Sequence, residues 1–175
     1  MTPRPILLAA LLAATPALAQ PRPQPAQGAQ AGGPQRLGNF GTWIAATHQE
    51  AAGKVCYAFT RVEGGGRPNV ILTVTHRPQG RDQVALRIGR AFARNAEVTV
   101  TADGKELPFY TAGDNAFARD GRATVAAFRD GDRAVARSPG PNNRGSTTDN
   151  FSLTGFSAAY DAITRECPAG GGGRR

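Results

Sequence analysis

Lys54–Val62 reads KVCYAFTRV and Asn69–Thr75 reads NVILTVT. In the first run Val55, Tyr57 and Phe59 alternate with Cys56, Ala58 and Thr60. In the second, Val70, Leu72 and Val74 alternate with Ile71, Thr73 and Thr75. Period-two alternation in β-branched and aromatic residues marks strands with two unlike faces. Gly64-Gly65-Gly66 separates the runs and predicts a turn. Working outward, Val84, Leu86 and Ile88 line one face of a third strand, and Glu97–Ala102 a fourth, with Val98 and Val100 opposite Thr99 and Thr101. Asp103-Gly104 is a tight-hairpin signal ahead of a strand at Lys105–Tyr110. Shorter strands are predicted at Thr42–Ala46, Arg133–Arg137 and Ser146–Thr154, and a short helix at Arg122–Phe128.

The last element changes period. Phe156, Tyr160, Ile163 and Cys167 fall at spacings of four, three and four, one stripe of an amphipathic helix closed by Pro168. Seven or eight strands and one docking helix predict an all-β fold, a mainly antiparallel sandwich or barrel-like sheet, with a C-terminal α-helix packed on it.

The ends read differently. Arg4, the apolar run Ile6–Ala14 and Ala17-Leu18-Ala19 have the order of a secretory signal peptide over residues 1–19, with cleavage before Gln20. Residues 20–37, rich in Pro, Gln and Gly, hold almost no core-forming side chains and are expected to be a disordered linker. The Gly/Arg stretch 169–175 is expected to be a disordered tail. Residues 38–168 remain as one domain.

This division decides the charge argument. The chain carries +8, with 21 Lys and Arg against 13 Asp and Glu. Between residues 38 and 168 there are 16 cations against the same 13 anions, leaving +3. Arg61, Arg77, Arg87, Arg94, Arg119, Arg133 and Arg144 are scattered along that stretch and read as solvated strand faces. Specific nucleic-acid binding is not expected, whereas the Arg-bearing ends suit weak polyanion binding. The apolar run at Ile6–Ala14 is far shorter than the ~18–20 residues of a membrane span.

Catalytic patterns are sparse. His48 and His76 are the only histidines, each read as a surface or edge residue, and neither neighbours a nucleophile motif. Ser138 lies in ARSPG, which lacks the first glycine of a nucleophile elbow. Asp130-Gly131-Asp132 lacks the other ligands of a calcium loop. Two Cys and two His at unrelated spacings make no zinc pattern, and no C-x-x-C is present. No catalytic residue, metal or cofactor is therefore assigned. The alternative is an envelope hydrolase whose site gathers dispersed residues such as His48, His76 and Asp114. Cys56 and Cys167 both sit where a side chain can point inward. In an exported chain they are expected to pair, although two separately buried thiols remain the other reading.

Several segments resemble the invasion-associated locus B family. These are Phe40-Gly41-Thr42-Trp43 followed by GKVCYA at Gly53–Ala58, Thr75-His76-Arg77-Pro78, VALRIG at Val84–Gly89, and TAGDNAFA at Thr111–Ala118. Another is Arg144-Gly145-Ser146-Thr147-Thr148-Asp149 running into FSLTGF at Phe151–Phe156. Phe117 stands where the family tends to have Trp, and Arg90-Ala91 replaces Tyr-Pro. The resemblance implies an exported periplasmic or outer-surface protein of a Gram-negative bacterium, with a β-sandwich, no cofactor and no agreed chemical activity. It also implies a pairing of Cys56 with the C-terminal Cys. The scarcity of catalytic bases favours a non-enzymatic protein that binds a protein, envelope or host-surface partner. Arg144, Gly145, Thr147 and Asp149 then read either as a ligand contact or as a turn whose side chains bond nearby amides.

If the ends carry the polyanion affinity, residues 20–175 should elute from a heparin column at higher salt than residues 38–168. Equal retention would place a cationic patch on the domain itself.

Overall fold

The computed structural model describes residues 33–141 and 144–169. The expected signal peptide, residues 20–32 of the expected linker and residues 170–175 of the tail lie outside the described residues. Ten strands and two helices are present among the described residues. They run β1 Gln35–Phe40, β2 Trp43–Glu50, β3 Gly53–Arg61, β4 Ile71–Arg77, β5 Gly80–Arg87, β6 Glu97–Ala102, β7 Lys105–Ala112 and β8 Asn115–Ala118. Then follow α1 Gly121–Asp130, β9 Arg133–Pro139, β10 Ser146–Ser152 and α2 Phe156–Glu166.

The strands form a single antiparallel sheet in the order β1-β2-β3-β4-β5-β8-β7-β6-β9-β10. Its far end curls back: Glu63 N–H donates to Asn150 O at 2.8 Å and Trp43 Nε1 donates to Ser152 O at 3.0 Å. The result is barrel-like, with α2 packed against β1 to β4 and α1 against β5. Asp103 and Gly104 have φ of 44° and 86°, so both central residues of the β6–β7 hairpin are left-handed, as a two-residue turn with this twist requires.

The element types agree with the sequence reading, but three points differ. The sheet has ten strands rather than seven or eight, because β1 and β8 were too short or too polar to show periodicity. β1 begins at Gln35, inside the stretch read as linker. Its backbone pairs with β2 from Gln35↔Thr47 to Phe40↔Trp43, and such pairing needs no core-forming side chain. The strand expected at Thr42–Ala46 runs on to Glu50, which places His48 on β2.

The inner face of β3 is the one that carries Cys56, in keeping with the inward position expected of that cysteine. In β3 Cys56, Ala58 and Thr60 are buried on the inner face, while on the outer face Val55 is buried and Tyr57 and Phe59 stay half-buried. Small residues on this face of β3 leave room for α2, which adds large side chains of its own. Phe156 and Ile163 are fully buried, and Phe156 meets Trp43 edge-on at 4.9 Å and Phe128 of α1 at 5.5 Å. At its start α2 comes so close to the β1–β2 turn that only glycine fits. Gly155 has φ +89°, and a Cβ there would run into the Phe40 carbonyl.

At its other end α2 is tied covalently. Cys167 forms a disulfide with Cys56 of β3, with Cα atoms 6.0 Å apart and a sequence separation of 111. An isolated helix of three turns is marginal in water, so α2 persists through docking and this bridge. Replacing Cys167 with Ser should lower stability by roughly 2–5 kcal/mol. Amide exchange should rise first in residues 156–167. An unchanged denaturation midpoint would remove the bridge's structural role.

Candidate functional site

Three groups of side chains gather the chemistry of the described residues, and two of them hold the fold. The first surrounds His76. This residue points inward from β4 and is 1 % exposed, not the surface or edge residue expected from its place before Arg77-Pro78. The β4–β5 hairpin and α2 cover it. Nδ1 accepts the Asp82 backbone N–H at 3.3 Å, so Nε2 carries the proton and donates to Thr164 Oγ1 at 3.1 Å. The Tyr160 ring packs edge-on against it at 5.2 Å, and the Tyr160 hydroxyl donates to Asp82 Oδ1 at 2.7 Å. Arg81, next on the hairpin, donates to the Cys167 carbonyl at the end of α2. A cation there complements the exposed carbonyls of a helix C-terminus. Burial, reinforced by Arg81, holds the His76 pKa down at about 4 against an ordinary 6.5, although Asp82 pulls the other way. Burial, followed by the bond to Asp82, raises that of Tyr160. The latch holds a neutral imidazole and a phenol beside Arg81 and Asp82.

The second group is the Arg144–Asp149 segment, which divides into two parts. Arg144 and Gly145 form a turn: Gly140 N–H donates to Gly145 O at 3.0 Å, Arg144 N–H donates to Pro141 O at 3.1 Å, and Gly145 has φ +66°. Thr147 pairs with Ser138 in the β9–β10 ladder. Asp149 faces inward, 1 % exposed, and receives the guanidinium of Arg67 from the β3–β4 loop. That ion pair straps the loop to β10. Sequence distance concealed Arg67, since 82 residues separate the partners.

The third group lies on the outer face of the sheet. A slot of about 400 Å³ runs along β3, β4 and β5. One wall is a stack standing on β3 and its neighbour β2. His48 meets Tyr57 edge-on at 5.6 Å, Tyr57 stacks on Phe59 at 6.2 Å, and the Arg61 guanidinium covers Phe59 at 5.6 Å. The floor is Thr73 of β4 and Ala85 of β5, which are cross-strand partners. At one end Ile71 pairs with Arg61 on one side and Arg87 on the other, so register brings together cations that look scattered in sequence. Beyond Ala85, its partner Phe117 stacks on Tyr110 at 5.6 Å.

The residues of the hydrolase alternative are not brought together. His48 lines the outer slot beside Glu50, with Nε2 3.0 Å from Oε1. His76 is on the inner face. Asp114, in the β7–β8 turn, accepts from Arg87 Nε at 2.8 Å and Asn115 Nδ2 at 2.7 Å. In the Asp130-Gly131-Asp132 turn, the Asp132 backbone bonds Asp103 and Leu153, tying three elements together.

A protein-family model, invasion associated locus B (IalB) protein, matches residues 43–164. The chain belongs to the IalB family. No curated protein and no solved structure matches it. The IalB match takes in the outer slot, the His76 latch and Asp149, but stops three residues before Cys167. Within the IalB domain, Phe117 gains a role that its resemblance to a family Trp position did not disclose. It forms with Tyr110 a second aromatic pair beside the slot, under the Arg119 guanidinium.

The sign of the His76 shift gives a test. Because the folded pKa lies below the unfolded value, this group costs no stability above pH 6.5. Below it the unfolded chain gains a proton that the fold refuses. Stability should therefore fall between pH 6.5 and about 4, by up to about 3 kcal/mol. A His76→Gln variant should lose that part of the slope in urea titrations across the window. Parallel profiles for the two proteins would show that His76 does not contribute.

Proposed function

We propose that this IalB-family chain is an exported, non-enzymatic protein of a Gram-negative envelope or surface, acting by binding a partner after residues 1–19 are removed. The observation that carries the reading is the Cys56–Cys167 disulfide, which takes up both cysteines of the chain. Structural disulfides form and persist in oxidising compartments, which agrees with the export pattern of residues 1–19. Against a hydrolase stands the placement of the two histidines on opposite faces of the sheet, with His76 committed to holding α2. For binding, the outer face offers half-exposed aromatic side chains beside arginines, the residue types that dominate recognition surfaces.

In the native host, a periplasmic extract should contain a chain lacking residues 1–19 by intact mass, with no thiol available to alkylation before reduction. Full-length protein in the cytosolic fraction with two free thiols would overturn the reading.

A further inference from the structure

The outer slot combines two kinds of surface that neither half explains alone. Phe59, Ile71 and Ala85 leave apolar surface half-exposed on a face that no element of the described residues covers. Cations stand at its end. Among the described residues Arg61 has no carboxylate partner, and its guanidinium is occupied only by the Phe59 ring. Arg87 engages Asp114 through Nε, leaving its terminal nitrogens as further donors. Both arginines flank Ile71 from adjacent strands, so their backbones lie about 10 Å apart and their long arms can close over one group. Thr73 and Asn115 supply the other polar atoms near that end. The carboxylates nearby, Glu50 and Asp114, are already engaged by His48 and by Arg87.

We infer that this slot binds a small amphiphilic anion, a single apolar chain carrying one carboxylate or phosphate. The head would sit over Ile71 between Arg61 and Arg87, and the chain would lie along Phe59, Thr73 and Ala85. The inference deepens the binding half of the proposed function and rests on it only for the role of this face.

Three features select this class of ligand. An exposed guanidinium alone holds an anion weakly in water. Apolar burial adds affinity at about fourfold per buried methylene, and the two act together only on a molecule that has both parts. A peptide strand has no edge to join, because β3, β4 and β5 are each paired on both sides. Nucleobase stacking is disfavoured on this wall, since the Phe59 ring already has Tyr57 stacked beside it and the Arg61 guanidinium over it. The ring edges that remain carry positive partial charge and favour the same anionic partner.

The test uses the full chain and decanoate as probe, read by amide chemical shifts at low ionic strength. Decanoate at millimolar concentration should shift residues 57–61, 71–75 and 85–87, and decyl phosphate should do the same. Decanol, with the same chain and no charge, should bind at least about tenfold more weakly. The double variant Arg61→Gln, Arg87→Gln should bring decanoate down to the level of decanol. Both side chains are exposed, so an unchanged melting curve confirms that the variant is folded. The inference fails if decanol binds as tightly as decanoate, if the shifts lie elsewhere, or if the double variant binds as before. It also fails if phosphatidylglycerol vesicles or octathymidylate shift these residues while decanoate does not. None of these outcomes depends on where the protein resides, so a failed slot is distinguishable from a failed export reading.

Discussion

The docking of α2 is the constraint around which the rest of the domain is arranged. A helix of eleven residues cannot hold itself together in water, and the curled sheet cannot leave its inner face open. Each covers the other's defect. Phe156 fills the space against Trp43 and Phe128, the disulfide fixes the far end to β3, and the β4–β5 hairpin closes over the helix through His76, Asp82 and Tyr160. Where the helix brings bulky side chains, the strands beneath it supply mostly small ones beside Trp43. Ala45, Cys56 and Ala58 are fully buried there.

That division of volume has a consequence on the opposite face. Alternation means that a strand placing Cys56, Ala58 and Thr60 inward must place Tyr57 and Phe59 outward. Aromatic side chains that a sandwich core would have absorbed are therefore held at the surface, where His48 and Arg61 pack against them. The same interior that secures α2 thus builds the outer slot. Polar groups that looked chemically suggestive went the other way. His76 and Asp149 are both almost fully buried and serve as joints, one to a helix and one to a loop.

How legible this was depended on the range of the interactions involved. The strands β3 to β7 and both helices could be read because alternation, turn glycines and helical stripes are local signals. β8, inside TAGDNAFA, shows no period, since four residues are too few for one. The outer slot was not legible. Arg61, Ile71 and Arg87 are far apart in the chain, and only the pairing of β3 with β4 and β4 with β5 sets them side by side. The segment Arg144–Asp149 has a local pattern, but its division into a turn and a buried charge depends on Arg67, which carries no local mark.

By itself, the amino-acid order determined the element types, the terminal helix with its apolar stripe, and the pair of cysteines available to bridge it. These follow from backbone geometry acting over a few residues: a period of two or of 3.6, a glycine that accepts positive φ, a proline that ends a helix. The tertiary structure decided which face of each strand is inside, that His76 is a buried latch, and that the arginines of β3 and β5 share one end of a slot. Alternation is symmetric between a strand's two faces, so it cannot say which one is buried. Only the volume brought by α2 and the register of neighbouring strands break that symmetry.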